Sequence, residues 1–498
     1  MDDALRGRLA LQRRQRGDAH ERNQGLSDTI IADMAGRGQF IRVNRAQAYY
    51  LPNESYRPIY ISKKSDELEM HLCNEYELNA TEVDCEFVMA AITALALGAS
   101  TQINGSEQTL SAFDADSDAL YLHTGGPDLL RITRDEITVV PNGTDGLVFL
   151  WNGSGDTFDP APNGLAARRW WEYLFQDAIA TVTDIEPEEA AAILAAWFMF
   201  LLFRQLATSR PILAMLGEPG AGKSTLAKRI YLMIYGAEKG INSISTPANY
   251  DMAVSSEPFV AFDNIDITTR WLPDRLAQSA GITEIPVRQL YTDKQIILLR
   301  RHALVGITSH NPEFTRADVA DRLLIINLRR WEKHAAEGTI LTKLKEQRDL
   351  LWGGVIRSVQ DVLSTPRPNA ADAPAMRVQD FSYLGLWFSR ALGTEPAFLS
   401  GLTKLMVAQR TFALSEEQLI VECFDKMPLP LDWAPAGEVF RACIAQTRDQ
   451  GQDFKFQYKN PATLGRRLVA LAHPLRDYFK IESRPSHKFG REWRISKA

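Results

Sequence analysis

Between Pro211 and Thr225 the chain reads PILAMLGEPGAGKST, and this stretch dictates a local fold. The apolar run Ile212 to Leu216 predicts a buried parallel strand. A turn through Gly217, Glu218, Pro219, Gly220, Ala221 and Gly222 follows, and a helix opens at Lys223. Glycines let successive backbone N–H groups curl round a phosphate with no Cβ in the way. The helix then points its positive end at the same anion. Gly217, Gly222, Lys223 and Ser224 complete the phosphate-loop pattern. The Lys223 ammonium suits β- and γ-phosphate oxygens, and the Ser224 hydroxyl suits Mg²⁺. Thr225 continues the helix.

With 498 residues the chain has room for about three domains. Its net charge of −6 makes any nucleic-acid surface local rather than global. Cys73, Cys85, Cys423 and Cys443 have no zinc-type spacing and predict reduced thiols, as expected of a cytoplasmic protein. Apolar residues run unbroken from Ala190 to Phe203, which is too short for a bilayer span and predicts a buried helix and no membrane association.

Residues 1–38 are polar, with six arginines before Gln24, and predict a flexible basic arm, of which Asp2 to Arg16 could form a helix without a convincing apolar face. Residues 39–150 predict a small mixed α+β domain, with helices over Asp66 to Leu78 and Thr81 to Leu97. Thr81 and Asp84 have the spacing of a capping box. The Gly/Pro/Asn-rich stretch 151–165 predicts a linker. Residues 166–335 predict a helical lead-in and an α/β core with a parallel sheet, 336–414 a helical region, and 415–498 a basic C-terminal domain.

Downstream of the phosphate loop, the strand FVAF ends in Asp263-Asn264-Ile265-Asp266. An acid at the carboxyl end of a buried strand is what Mg²⁺ coordination requires, so Asp263 is the metal candidate with Ser224. Asn264 stands where many ATPases carry a second acid, and an amide is no base. Either Asp263 takes the water and Asn264 supports the metal, or Asp266 contributes. A third strand, Ala303 to Ile307, runs into Thr308-Ser309-His310-Asn311, and Asn311 is the candidate for touching the γ-phosphate or the water. Arg322, and after it Arg316, are candidates for an arginine reaching a neighbour's nucleotide, the alternative being a surface ion pair with Asp318 or Asp321. Alternating residues on both sides of Tyr291-Thr292-Asp293-Lys294 predict a hairpin with Lys294 near its tip and Arg288 on its first strand. Such a cation could grip phosphates.

GEPGAGKST, FVAFDNID, VRQLYTDKQ, GITSHN and Arg322, in that order, resemble the superfamily three helicases. They resemble more closely the ATPases that phages, prophages and integrated elements encode beside their replication genes. The resemblance covers about residues 165–330. It implies an AAA+-like P-loop core, ATP with Mg²⁺, a homo-oligomeric ring such as a hexamer, and ATP-driven movement on single-stranded or forked DNA. The DN pair departs from the general superfamily and leaves the base open. No primase or polymerase signature is visible in the first 150 residues, so those activities would come from another chain.

Residues 452–498 hold eleven Lys/Arg against four Asp/Glu. A helix over Ala462 to Ala472 and a two-strand ribbon around Arg484 to Gly490 predict a winged-helix-like domain. Arg466, Arg467, Lys488 and Arg491 would offer phosphate contacts. A winged helix also serves as a protein-docking module. Two functions fit the whole: a ring helicase or translocase for mobile-element replication, and a nucleotide-gated assembly or defence ATPase that recruits a partner without unwinding DNA.

Overall fold

The computed structural model describes residues 3–14, 18–98, 103–150, 156–159, 168–243, 246–265, 269, 271–281, 284–288, 296–300, 303–310, 317–331, 336–414, 418–447, 460–472, 475–476, 478–486 and 490–497. At its centre lies a four-stranded parallel sheet. Its order is Phe259–Phe262, Leu304–Ser309, Ile212–Gly217, Leu323–Leu328. Side chains alternate across it with the two-residue period of a strand. Ile212, Ala214, Leu216, Val305, Ile307, Leu323 and Ile325 enter one core, with the helices Pro247–Ser256 and Leu272–Ser279. Leu213, Met215, Leu304, Leu324 and Ile326 enter a second and larger core. Both faces are covered, which explains the near-continuous apolar strands.

The larger core is built round the helix Pro187–Leu202, in which every residue from Glu189 to Leu202 is buried. It packs against the helices Gln379–Leu392 and Glu395–Leu414. Glu186 and Glu189 form a capping box at its start. The Glu189 carboxylate also accepts from Ser400 Oγ at 2.6 Å and Lys404 Nζ at 2.8 Å, fastening the third helix.

Two expectations are corrected near the N-terminus. The segment expected as a flexible arm forms helices Asp3–Arg14, close to the helix considered over Asp2 to Arg16, and Ala19–Arg37. Leu5, Leu9, Leu26, Ile30 and Met34 are buried with Tyr50, Leu72, Val88 and Ile92. Their four-residue spacing is a narrow stripe among arginines, enough to seat a helix on a neighbour. Arg6 pairs with Glu77 outside that stripe. The expected capping box at Thr81 is absent: the helix spans Val83–Leu97, and Thr81 Oγ1 instead donates to Asn79 Oδ1 at 2.9 Å. Asn79 Oδ1 also accepts from Thr81 N at 3.1 Å, so the Asn79 side chain closes a local turn ahead of the helix.

The N-terminal strands form a two-stranded sheet of Ser106–Gln108 with Leu147–Phe149 and two sheets of four. One is ordered Ile59–Tyr60, Ala48–Pro52, Gly38–Arg42, Ile103–Asn104. The other is the meander Ser111–Asp114, Ala119–His123, Asp128–Ile132, Ile137–Pro141, which sends Leu120, Leu122, Leu130 and Ile132 into the large core.

Part of the stretch expected as a linker is held on the core. Phe158 is buried, with its ring stacked on Trp352 at 4.7 Å. The Arg348 guanidinium donates to the carbonyls of Asp156 and Thr157 and to those of Met233 and Ile234. The last two belong to the final turn of the helix Lys223–Tyr235, where a cation satisfies open carbonyls.

The C-terminal unit runs Gln418–Lys426, strand Leu431–Pro435, Ala436–Thr447, Pro461–Leu471, then strands Phe479–Ser486 and Gly490–Lys497. The expected two-strand ribbon is three-stranded, because Leu431–Pro435 pairs with Gly490–Lys497. Phe424, Cys443, Leu464, Leu468, Phe479, Trp493 and Ile495 form its own core. Asn460 caps its last helix, accepting from Thr463 N at 2.9 Å.

Candidate nucleotide site

The phosphate loop leaves the sheet at Gly217, whose φ is 144° and where a Cβ would lie 2.0 Å from Leu328 O. No side chain fits there. Gly222, at φ 84°, ends the loop, and a Cβ on it would meet the Trp331 indole at 3.1 Å. The helix Lys223–Tyr235 begins at the next residue. Lys223 is buried, and its Nζ donates to Gly217 O at 2.7 Å and Glu218 O at 2.9 Å. Burial pushes the Lys223 ammonium pKa down, opposed by the Asp263 carboxylate.

Asp263 follows its strand at the same end of the sheet, with the Leu304–Ser309 strand lying between it and the phosphate loop. Ser224 Oγ donates to Asp263 Oδ1 at 3.3 Å, so the two proposed metal ligands are neighbours. A hydroxyl and a carboxylate oxygen beside a phosphate loop are a donor set suited to Mg²⁺. Thr308 is fully buried between the two motifs, and its Oγ1 donates to Asp263 Oδ1. The same Oγ1 accepts from Asn264 N at 3.2 Å. Asn264 itself is left-handed, at φ 46°, a conformation asparagine tolerates. One hydroxyl therefore fixes both residues of the Asp-Asn pair. His310 Nδ1 lies 3.3 Å from Gly217 O, at the mouth of the loop.

On the opposite flank, Thr225 Oγ1 donates to Glu337 Oε2 at 3.2 Å, and Lys228 pairs with the same carboxylate. Neither Thr308, His310, Trp331 nor Glu337 was singled out by the sequence. Thr308 and His310 stood in a polar run in which Asn311 drew attention. Glu337 is 112 positions from Thr225, a pairing that no local pattern reports.

Arg322 lies at the other end of the sheet. Ile212 N donates to its carbonyl at 2.9 Å, and its Nη1 donates to Ala277 O at 3.0 Å. Six residues of strand, Ile212–Gly217, separate it from the loop, about 20 Å at the usual rise per residue. Arg322 is thus not part of its own chain's phosphate site. The strands Glu284–Arg288 and Ile296–Arg300 pair as an antiparallel hairpin, and of Arg288 only the backbone is described. Asp266, Tyr291, Lys294, Asn311, Arg316 and Lys488 lie outside the described residues. In the C-terminal unit Arg466 and Arg491 are exposed and Arg467 is half-buried. Arg484, not singled out before, lies 4.4 Å from the Trp433 ring centroid and pairs with Glu492. Among the described residues no helix is long and apolar enough to cross a membrane.

The phosphate loop, the Ser224–Asp263 pair and the parallel sheet fit a P-loop α/β core. Within that class, residues 176–405 match the family model described as actinomycete integrative conjugative element replication protein. The chain is similar in structure to the C-terminal region of NrS-1, at 9% identity and a TM-score of 0.42, covering 94% of this chain and 98% of that one. It is also similar to the SCCmec type IV Cch helicase, at 12% identity and a TM-score of 0.43, covering 92% of each chain. JCV helicase covers 44% of this chain and 59% of its own, at 14% identity and a TM-score of 0.23. No curated protein matches.

Proposed function

We propose that the chain is a ring-forming, ATP- and Mg²⁺-dependent DNA helicase or translocase that serves replication of an integrated mobile element. The observation that carries this reading is the placement of Lys223 and Arg322 at opposite ends of one sheet. An arginine about 20 Å from its own phosphate loop is suited to a neighbour's site instead. The family match over residues 176–405 supports the replication context.

In this reading Gly217 to Thr225 hold the phosphates through backbone N–H groups and the Lys223 ammonium. Ser224 and Asp263 hold the metal, which when bound neutralises charge developing on the β- and γ-oxygens. Thr308 keeps the Asp263 carboxylate turned toward Ser224. Asn311 orients the γ-phosphate or the attacking water. Arg322 enters the adjacent subunit's site, so hydrolysis depends on assembly into a homo-oligomer such as a hexamer. The hairpin bearing Arg288 and Lys294 couples that cycle to single-stranded or forked DNA. Arg466, Arg467, Lys488 and Arg491, on a winged-helix-like C-terminal unit, add phosphate contacts.

The test is ATP hydrolysis with and without single-stranded DNA at several protein concentrations, followed by strand displacement on a fork. The expected result is a specific rate that rises with both concentration and DNA, and a Lys294→Ala variant that loses the DNA stimulation. A rate indifferent to both, with no strand displacement, overturns the motor.

A further inference from the structure

The sheet order gives the nucleotide site a direction. Asp263 and Thr308 stand on one side of the phosphate-loop strand, beyond and within the Leu304–Ser309 strand. The metal and the terminal phosphate belong on that side. The remaining flank of the loop is formed by the Leu323–Leu328 strand and by Trp331 beyond it. A triphosphate running across the loop from the metal side therefore delivers its nucleoside to this second flank.

Two side chains wait there. The Trp331 indole lies against Gly222, close enough that its Nε1 would be 3.1 Å from a Cβ at that position. Its Nε1 is buried and has no hydrogen-bond partner among the described residues. A buried indole N–H without a partner is costly, and a small turn of the half-buried ring would let a ligand acceptor relieve it. Glu337 reaches the first turn of the same helix, where its carboxylate binds Thr225 Oγ1 and Lys228. A carboxylate facing phosphate would repel it. Paired with Lys228 and set beyond the loop, it has acceptor capacity to spare for neutral hydroxyls.

We propose that Trp331 and Glu337 form the nucleoside end of the site, the indole packing beside the base and Glu337 accepting from the ribose hydroxyls. The ligand class is a ribonucleoside triphosphate, and the inference rests on the nucleotide-binding reading above.

Titration calorimetry on the full chain tests it with three probes: ATP, 2′,3′-dideoxyATP and inorganic tripolyphosphate, each with Mg²⁺. The wild type should bind ATP about tenfold tighter than the dideoxy analogue, as expected for a hydrogen bond to a charged acceptor. Glu337→Gln should bring the two nucleotides to within about threefold of each other. Trp331→Ala should weaken both nucleotides about tenfold, with Trp331→Phe recovering part of the loss. Both positions should leave tripolyphosphate binding unchanged, which also shows that the loop is still folded. The inference is overturned if the variants weaken tripolyphosphate as much as ATP, since they then only support the loop. It is overturned equally if wild-type protein does not distinguish the two nucleotides. Binding of neither ATP nor tripolyphosphate by the wild type removes the nucleotide reading itself, and the inference with it.

Discussion

The central core and the C-terminal unit use the same cations in opposite ways. In the core, Arg204, Arg229 and Arg348 are all buried, and each donates to groups of the chain itself, Arg229 Nη1 to Tyr173 O at 3.0 Å. Arg204 donates to Ser111 Oγ, Leu201 O and Thr109 Oγ1, and burial pushes its pKa down to about 9. In the C-terminal unit Arg466 and Arg491 stand out in solvent on one helix and one ribbon. Buried cations spend their donors on the chain's own carbonyls and fix its shape. Exposed ones keep donors for a partner, at little cost to the fold. The local charge excess is therefore a functional statement only in the second region.

The widest gap between the two regions should appear at Arg348. Arg348→Met strips donors from four carbonyls, including those closing the phosphate-loop helix, and should cost about 3 kcal/mol of stability. A denaturant midpoint close to wild type would remove the structural role assigned to the buried group. His123 sharpens the same contrast for a neutral side chain. Burial pushes its pKa down to about 4, against a weaker opposing bond to Gly126 O, and its ring stacks on Phe149. Below about pH 6.5 the unfolded imidazole takes a proton that the folded one refuses. Stability should therefore fall as pH drops from about 6.5 to about 4, by at most about 3 kcal/mol from this group. His123→Gln should flatten that slope in urea titrations across the window; an unchanged slope places the acid sensitivity elsewhere.

Thr308→Val tests the nucleotide end of the core. The shape is kept and the hydroxyl that pins Asp263 and Asn264 is lost. The Mg²⁺ needed for half-maximal tight ATP binding should rise about tenfold, as when other ligand-orienting groups are removed. Thr308→Ser should restore it, whereas a valine variant with a normal Mg²⁺ requirement dismisses the positioning role. The smallest effects belong to the exposed cations. Arg466→Ala and Arg491→Ala should each weaken DNA binding a few-fold for every sequence and lower the salt slope by about 1. Thermal stability should stay within about 0.5 kcal/mol of wild type. A loss confined to stability would make these arginines structural and break the comparison.

What the sequence made legible follows the same division. The strand Ile212–Gly217, its loop and its helix are local in the chain, so a single stretch carries both their hydrophobic period and their glycines. The apolar helix Pro187–Leu202 was legible for the same reason. The N-terminal helices were not, because Leu26, Ile30 and Met34 are only three contacts in a polar run, and their burial depends on a partner surface further along. The strand Leu431–Pro435 was hidden by the prolines around it and by a mate some sixty positions away, at Gly490–Lys497. Within the site, the motif residues could be read from type and spacing. Thr308, Trp331 and Glu337 come to the site through tertiary contacts that no local pattern reports.

The claim that one chain's arginine completes another chain's site is tested most directly by mixing. Lys223→Ala lacks the phosphate-loop cation and Arg322→Ala lacks the arginine, so neither should hydrolyse ATP alone. A mixed ring holds some interfaces with an intact loop on one subunit and an intact arginine on the next. Measuring hydrolysis of the two variants separately and combined should therefore show activity only in the mixture. Full activity of Arg322→Ala alone, or no recovery from mixtures that demonstrably co-assemble, would contradict the shared site.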